Sequence, residues 1–255
     1  MENDKIAVET IIVSSFKHYM TQVLRYYDGS YLFRGVSRTS WELIPSIGRG
    51  RYCTAYAVDD ELETFRLFKA RARRCVTVLP QNDWEWLALA QHHNLPTRLL
   101  DWSASPLVAA FFATLGWNGS LPQFSIYEEA GKEWPDEDSV VYVAKLDGVF
   151  DTADMDRDPF ALREVEFFQG PHVTPRLHAQ LGAFSIHPHP DKPYKSQNLT
   201  RIIIPGRQRL YFQNGLDLLG FGRSSMFPDI DGLAQQLAWR YWILETREDA
   251  DWKAG

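Results

Sequence analysis

The chain has 255 residues, of which 45% are hydrophobic and 14% aromatic, and its formal net charge is −6. This length and apolar content are sufficient for a substantial buried core, so we expect one large domain over residues 1–255. The negative charge argues against sequence-independent binding of nucleic acid, which needs a basic surface to release the counterions of the phosphates.

The first half of the chain is predicted to be mainly helical. Apolar residues recur at helical spacing over residues 8–26 and define an N-terminal helix within residues 1–29. Two more helices are expected over residues 58–74 and 83–93. Between the first two helices, residues 31–36 are rich in aromatic and β-compatible side chains and predict a short strand. Arg34 is therefore expected on a rigid element.

A proline-containing segment separates the third helix from the fourth. Residues 96–100 should be extended because the residue before a proline avoids helical geometry. Ser103 or Ser105 can then cap the next helix, with Pro106 in its first turn. Residues 118–138 are rich in glycine, proline and acidic residues and predict a surface insertion.

The second half of the chain is predicted to supply most of the strands. Residues 139–146 form a nearly continuous apolar run, which is typical of a strand covered on both faces. Further strands are expected at 183–187 and 199–204, and further helices at 207–219 and 230–245. Because helices come first and strands cluster later, we expect an α+β fold with a mixed, mostly antiparallel sheet and the N-terminal helices packed around it.

Two segments carry most of the chemistry. The first is Phe33-Arg34-Gly35; the second is residues 91–106, which lead directly into an apolar helix. A strand arginine offers five fixed donors that match phosphate, although an ion pair with a carboxylate is its more ordinary use. Arg98 and Asp101 in the second segment are equally suited to a local salt bridge and to ligand binding.

Together these segments resemble the FRG domain, a family named after its Phe-Arg-Gly triplet. In the family the second segment resembles Gln-His-x-Gly-x-Pro-Thr-Arg-Leu-Leu-Asp-Trp, followed by a helix that begins near Ser/Thr-x-Pro. Asn94 replaces the usual glycine here, which is a mild departure because asparagine tolerates left-handed backbone geometry. Two weaker similarities lie downstream, at residues 180–184 and 227–232.

The order of the segments also resembles toxin-type ADP-ribosyltransferases. In those enzymes an arginine on an early strand precedes a Ser-x-Ser-like step and an alanine- and phenylalanine-rich helix, and a carboxylate comes last. The resemblance implies an ADP-ribosyltransferase-like fold that binds NAD or a related nucleotide. Arg34 would then bind the diphosphate, Ser103 or Ser105 would orient the nicotinamide ribose, and aromatic rings would enclose the nicotinamide.

The last element of that comparison departs from the pattern. By order, Gln180 occupies the place of the usual glutamate, and an amide can bind a ribose hydroxyl but cannot act as a general base. Asp101, Asp229 or Asp231 could supply the missing negative charge, since an oxocarbenium-like state is stabilised by a nearby carboxylate.

These resemblances imply a catalytic set of four residues and a ligand-binding set around it. The catalytic set is Arg34, Asp101, Ser105 and Gln180. The ligand-binding set is Phe33, Gly35, Gln91, His92, Thr97, Arg98, Trp102 and Ser103. The implied reaction is ADP-ribosyl transfer, to a protein or nucleic-acid acceptor, or NAD hydrolysis, in a bacterial toxin or phage-defence setting.

Two alternatives remain open at this stage. Gln180 favours a non-catalytic module that binds a ligand or a partner without turnover. Six of the seven histidines are grouped in three places and, with Asp101, could furnish ligands for a metal-dependent hydrolase. However, no His-Glu-x-x-His or similar spacing is present, so we predict no metal site.

The cysteines and the N-terminal residues indicate the cellular compartment in which the protein is expected. Cys53 and Cys75 show no Cys-x-x-Cys spacing, so neither a zinc ribbon nor a disulfide framework is indicated. The first five residues include acidic side chains where a signal peptide would be basic, and no apolar run reaches membrane-spanning length. We therefore expect a cytoplasmic protein without a membrane or disulfide partner.

Overall fold

Seven strands and seven α-helices are present in the part of the chain that the computed structural model describes, which is residues 8–49, 60–115, 137–146, 156–169 and 179–249. The strands are β1 (Glu9–Ile12), β2 (Tyr31–Val36), β3 (Leu99–Ser103), β4 (Ser139–Lys145), β5 (Glu166–Gln169), β6 (Gly182–Ile186) and β7 (Leu199–Ile204). The helices are α1 (Phe16–Val23), α2 (Glu61–Ala72), α3 (Asp83–His92), α4 (Pro106–Thr114), α5 (Arg209–Leu218), α6 (Arg223–Met226) and α7 (Ile230–Asp249).

The strands form one open sheet in the order β1-β7-β4-β2-β3-β6-β5. Strand β1 pairs with β7 in parallel, whereas the other neighbouring strands pair antiparallel. The predicted α+β class with a mixed, mostly antiparallel sheet is therefore confirmed. Strand β4 lies near the middle and is buried along six of its seven residues, as its continuous apolar run predicted.

Two groups of helices cover the same face of the sheet at opposite ends. Helices α1, α4 and α5 pack over β2, β4 and β7, in a core that includes Phe33, Phe111 and Phe212. Helices α2 and α3 pack over β3, β5 and β6, in a second core built around Trp84 and Phe184. The site described below lies where α3 and α4 meet the sheet.

The N-terminal segment differs from its prediction. The helix expected over residues 8–26 is confined to Phe16–Val23, and Glu9–Ile12 forms strand β1 instead. The side chain of Ser15 accepts a hydrogen bond from the backbone of His18 and caps α1, so the helix begins there. Upstream of this cap the backbone pairs with β7 and forms the edge strand of the sheet, which helical spacing alone could not indicate.

Other elements agree with the sequence to within a few residues. Strand β3 extends to Ser103, and Ser105 is the residue that caps α4, with Pro106 at its first position. Strand β5 and the short helix α6 were not predicted. The predicted insertion at residues 118–138 lies outside the described residues apart from 137 and 138.

Gly35 is required by the contact between β2 and α4. A Cβ atom at this position would lie 1.9 Å from the backbone oxygen of Ala109 and 2.5 Å from the backbone nitrogen of Ala113. Backbone atoms of a packed helix cannot move aside as a flexible side chain can. The strand and the helix can therefore approach this closely only because residue 35 has no side chain.

We expect Gly35→Ala to lower the free energy of unfolding by about 3 kcal/mol or more, because α4 must shift to admit the methyl group. Urea denaturation followed by circular dichroism measures the loss. Gly29→Asn is the matched control, since Gly29 has φ +79° and an added Cβ would have no atom within 4 Å. Asparagine tolerates that geometry, so the control should lose about 1 kcal/mol or less. Equal losses in the two variants would contradict the packing argument.

Candidate functional site

The sheet opens between β2 and β3. These strands share a single antiparallel pair, Phe33 opposite Ser103, whereas β2 pairs with β4 along all six of its residues. Beyond that pair a cleft of about 670 Å³ lies between the two strands, the end of α3, one side of α4 and the irregular segment 37–49. The cleft thus penetrates the sheet itself at the position of the Phe-Arg-Gly triplet.

Arg34 spans the opening. Its Nη1 donates to the backbone oxygen of Asp101 and lies 3.6 Å from the carboxylate oxygen Oδ2 of the same residue. The side chain is 15% exposed, and burial lowers the pKa of its guanidinium, an effect that Asp101 partly offsets. An arginine nevertheless stays charged in proteins at neutral pH, so a cation occupies the floor of the cleft.

A chain of hydrogen bonds fixes the carboxylate of Asp101. Gln91 Nε2 donates to Asp101 Oδ2 at 3.1 Å, and the hydroxyl of Thr97 donates to Gln91 Oε1 at 2.7 Å. Because Thr97 occupies the amide oxygen, the amide nitrogen must face Asp101. The Asp101 side chain is 57% exposed and is therefore presented to the cleft while its position is restrained.

The two serines of the Trp-Ser-Ala-Ser step have different roles. Ser103 lines the cleft, donates to the backbone oxygen of Gln180 at 2.7 Å and accepts from the backbone nitrogen of Ser105 at 3.0 Å. Ser105 instead caps α4 by accepting from the backbone of Val108 at 3.4 Å, and it borders a different, mostly apolar pocket of about 540 Å³. Ser105, for which a catalytic role was predicted, thus lies away from the cleft.

Gln180 lies in the cleft wall with its amide already engaged. Its Nε2 donates to the backbone oxygen of Met226 at 3.1 Å, which ties the start of β6 to the end of α6. Asp229 and Asp231, the alternative carboxylates, are not among the lining residues. Asp229 accepts from the backbone of Gly232 at 2.7 Å at the start of α7. Of the three candidate carboxylates, only Asp101 lines the cleft.

Arg98 pairs with Glu61 rather than with Asp101. Glu61 is 3% exposed; one of its oxygens accepts from the Arg98 backbone nitrogen at 2.9 Å and the other from Arg98 Nε at 2.8 Å. The Arg98 guanidinium also lies over the ring of Phe160 at 4.7 Å. The local salt bridge considered between Arg98 and Asp101 is therefore wrong, and Arg98 instead joins α2 to the start of β3.

The structure brings most of the predicted site residues together. Those that line the cleft are Phe33, Arg34, Gly35, Gln91, His92, Asp101, Trp102, Ser103 and Gln180. Thr97, Arg98 and Ser105 are not among the lining residues, although the first holds Gln91 in place. The roles assigned to all of them in ligand binding and catalysis stay predictions.

Sequence reasoning missed the contribution of segment 37–49. Ser40, Trp41, Glu42 and Arg49 line the cleft opposite α3. Burial lowers the pKa of Arg49 as it does that of Arg34, and Asp101 partly offsets the shift in both, so two guanidiniums are placed near one carboxylate. The segment has no periodic pattern, and its only regular element is a turn of 3-10 helix at Ser46–Gly48, so sequence spacing gave no indication of where its side chains point.

The metal alternative finds no support in the described part of the chain. Within it, no three histidine, cysteine, aspartate or glutamate side chains come close enough to hold an ion. His92 and His93 lie at the end of α3 with their rings at 84°, while His172 and His178 fall outside the described residues. Among the helices that the structure describes, none combines the length and apolarity needed to cross a bilayer.

Comparison with known families matches residues 29–118 to the FRG domain. The chain carries an FRG domain. The matched region contains β2, β3 and α2 to α4, and hence both motifs, whereas the weaker similarities at residues 180–184 and 227–232 lie beyond it. No curated protein and no solved structure matches the chain.

Each residue of the Phe-Arg-Gly triplet, after which the FRG domain is named, has a separate structural role. Phe33 is 2% exposed and packs into the core beneath α1 and α4, on one side of β2. Arg34 spans the opening toward β3, and Gly35 admits the backbone of α4. The three residues therefore join the core, the cleft and the helix that borders the cleft.

A buried network lies behind the cleft wall. Trp102 Nε1 donates to the Ser185 hydroxyl at 2.8 Å, and that hydroxyl lies 2.8 Å from His187 Nε2. His187 is 2% exposed, and burial, with a smaller contribution from Arg34, lowers its pKa to about 4. The imidazole is therefore neutral at physiological pH and shares a hydrogen bond with the Ser185 hydroxyl through Nε2.

We expect Glu61→Gln to lower the free energy of unfolding by about 3–5 kcal/mol, because it leaves the buried Arg98 guanidinium without its counter-ion. Chemical denaturation provides the measurement. Glu9→Gln is the matched control, because Glu9 pairs with Arg25 at 3.3 Å on the surface, where both side chains are about half exposed. The control should change stability by about 1 kcal/mol or less. A Glu61→Gln loss as small as that of the control would contradict the assigned role of the pair.

We expect His187 to destabilise the folded chain as the pH falls. Between its ordinary pKa of 6.5 and its folded pKa of about 4, the unfolded chain binds a proton at His187 that the folded chain does not. The stability lost across this window is about 3 kcal/mol. Comparing urea midpoints at pH 7 and pH 4.5 should show a smaller pH dependence for His187→Gln than for the wild type. The exposed His93→Gln is the control and should keep the wild-type dependence.

Proposed function

We propose that this protein binds NAD or a related nucleotide in the cleft between β2 and β3, and that it cleaves the bond between nicotinamide and ribose. The ADP-ribose would pass to an acceptor or to water. The observation that carries the proposal is the convergence of Arg34, Asp101 and Ser103, from two distant segments, on one cleft of about 670 Å³. A cleft of this size lies in the range of small-molecule and cofactor sites.

The cations of the cleft suit a diphosphate. Arg34 stands at the floor and Arg49 farther along the wall, and a guanidinium matches phosphate oxygens with fixed, paired donors. The ligand would compete with the Asp101 carboxylate for Arg34. That competition is mild because the 3.6 Å ion pair has one half-exposed partner, whereas the contact from Arg34 to the Asp101 backbone can stay in place.

Asp101 is the group best placed to assist the reaction. Loss of nicotinamide breaks the bond between its ring nitrogen and ribose C1′, and positive charge develops on the ribose. A carboxylate held by Gln91 can stabilise that charge, because it is oriented before the reaction begins. A hydroxyl of the acceptor or of water then attacks C1′ and releases its proton to solvent or to the same carboxylate.

Binding without chemistry is the second candidate function. Gln180 cannot act as a base, and its amide nitrogen is held by the backbone of Met226. In that case the cleft would recognise a nucleotide and leave it intact. Measuring binding and nicotinamide release separately distinguishes the two functions.

The experiment uses the full-length chain with NAD labelled in its nicotinamide ring, and it records binding by calorimetry and release by chromatography. We expect Arg34→Met to weaken NAD binding by about 10- to 100-fold, as the loss of a charge-assisted phosphate contact does. Arg25→Met is the matched control, because Arg25 is an exposed arginine paired with Glu9 and lies outside the cleft. The control should bind as the wild type does.

Asp101→Asn separates chemistry from binding. We expect NAD to bind as tightly as to the wild type or more tightly, because a competing anion is removed. Nicotinamide release should fall by about 100-fold or more, as expected when one preorganised charge is lost. Binding without release in the wild type would favour the binding module, and the absence of both would refute the nucleotide proposal.

A further inference from the structure

One aromatic ring in the cleft is presented to solvent. Trp41 is 41% exposed, whereas Phe33, Trp102 and Phe184 line the cleft with exposures of 3% or less and Phe112 is half-buried. The buried rings belong to the hydrophobic cores already described. Among the lining residues, Trp41 is thus the aromatic side chain that offers a large open surface to a ligand.

A cation lies over one face of the Trp41 ring. Arg38 Cζ lies 5.3 Å from the ring centroid, and Arg38 Nε is paired with Glu137 Oε2 at 3.1 Å. A guanidinium over one face restrains the ring and is itself restrained by the carboxylate. The face of the indole opposite Arg38 is therefore the one on which a ligand would stack.

The segment that carries Trp41 is anchored at both ends, although it has no regular structure around the tryptophan. The backbone nitrogen of Thr39 donates to Asp138 at 3.0 Å, and buried Arg209 donates to the backbone oxygen of Ser37. On the other side, Leu43 is 3% exposed and its backbone oxygen accepts from Tyr194 at 2.9 Å. A ring held in this way loses little conformational freedom when a ligand stacks on it.

The position of Trp41 along the cleft indicates which part of a ligand it meets. Ser103 marks the end where β2 and β3 still pair, Arg34 comes next, and the chain then runs past Val36 into the segment with Trp41. A nucleotide with its diphosphate at Arg34 and its reacting ribose near Ser103 would direct its second base toward Trp41. Flat bases of any identity stack well on indole rings.

We propose that Trp41 is a stacking platform for the purine base of the ligand, so that the cleft selects adenine-bearing dinucleotides over mononucleotides. This inference rests on the proposed nucleotide function. It adds a specificity-determining residue at the end of the cleft opposite the reacting bond. Trp41 contributes to affinity and makes no contact with the reacting atoms.

The test measures calorimetric dissociation constants of three ligands for the full-length wild type and three variants. The ligands are NAD, ADP-ribose and nicotinamide mononucleotide, of which the last has no adenine. The variants are Trp41→Leu, Trp41→Phe and Tyr211→Leu, the last being a control at a 51% exposed aromatic residue outside the cleft lining. Thermal unfolding of each variant shows whether it is folded.

We expect Trp41→Leu to raise the dissociation constants of NAD and ADP-ribose by about 5- to 100-fold, which is the range of base stacking on an aromatic side chain. Its affinity for nicotinamide mononucleotide should stay within about twofold of the wild type, since that ligand has no adenine to stack on the ring. Trp41→Phe should recover most of the affinity for NAD, and Tyr211→Leu should change none of the constants.

The outcomes separate this inference from the function on which it rests. If the wild type binds NAD and Trp41→Leu binds it equally well, the platform is refuted and the nucleotide proposal stands. An equal loss for all three ligands also refutes the platform, because the effect would then not depend on adenine. If the wild type binds none of the ligands, the nucleotide proposal fails and the platform fails with it.

Discussion

The contact from Arg34 to the backbone of Asp101 is the constraint on which the cleft depends. A sheet that opens between two strands leaves backbone groups without their ladder partners, and such groups are costly when buried. Arg34 reaches across from β2 and satisfies one of the carbonyls of β3. The same side chain brings a positive charge to the floor of the opening. The Arg34 guanidinium therefore both satisfies a backbone carbonyl of the opened sheet and supplies the positive charge that a ligand would meet.

Because β2 holds β3 by only one backbone pair, other contacts must fix β3 in place. Strand β6 pairs with it along all five of its residues. The buried Glu61–Arg98 pair fastens Arg98, the residue just before β3, to α2. Thr97 joins the start of β3 to α3 through Gln91. Glu61, Thr97 and Arg98 are not among the residues that line the cleft, so they support it without filling it. Thr97 and Arg98 thus act on Asp101 through the position of the strand and of Gln91.

The sequence predicted the elements whose signals are local. Strands β2 and β4, helix α3 and the Ser105 cap of α4 follow from burial patterns and capping residues, and the two motifs converge as their order implied. Strand β1 could not be distinguished from the helix beside it, because its pairing with β7 joins residues almost 200 positions apart. The family resemblance placed Arg98 in the ligand-binding set, and its partner, Glu61, could not be identified from the sequence because it lies 37 positions upstream. Trp41 and Arg49 were missed because only tertiary contacts orient an irregular segment.

Asp101 has a structural role through its backbone and a proposed chemical role through its side chain, and the two do not interfere. Its backbone oxygen receives Arg34 and closes the sheet, whereas its carboxylate points toward Gln91 and the cleft and remains more than half exposed. A side-chain change at this position therefore leaves the backbone contact available. Arg34 offers no such separation, because the same Nη1 makes the structural contact and faces the carboxylate. For this reason the chemistry of the cleft is best tested at Asp101, and its affinity for anions at Arg34 together with a measurement of folding.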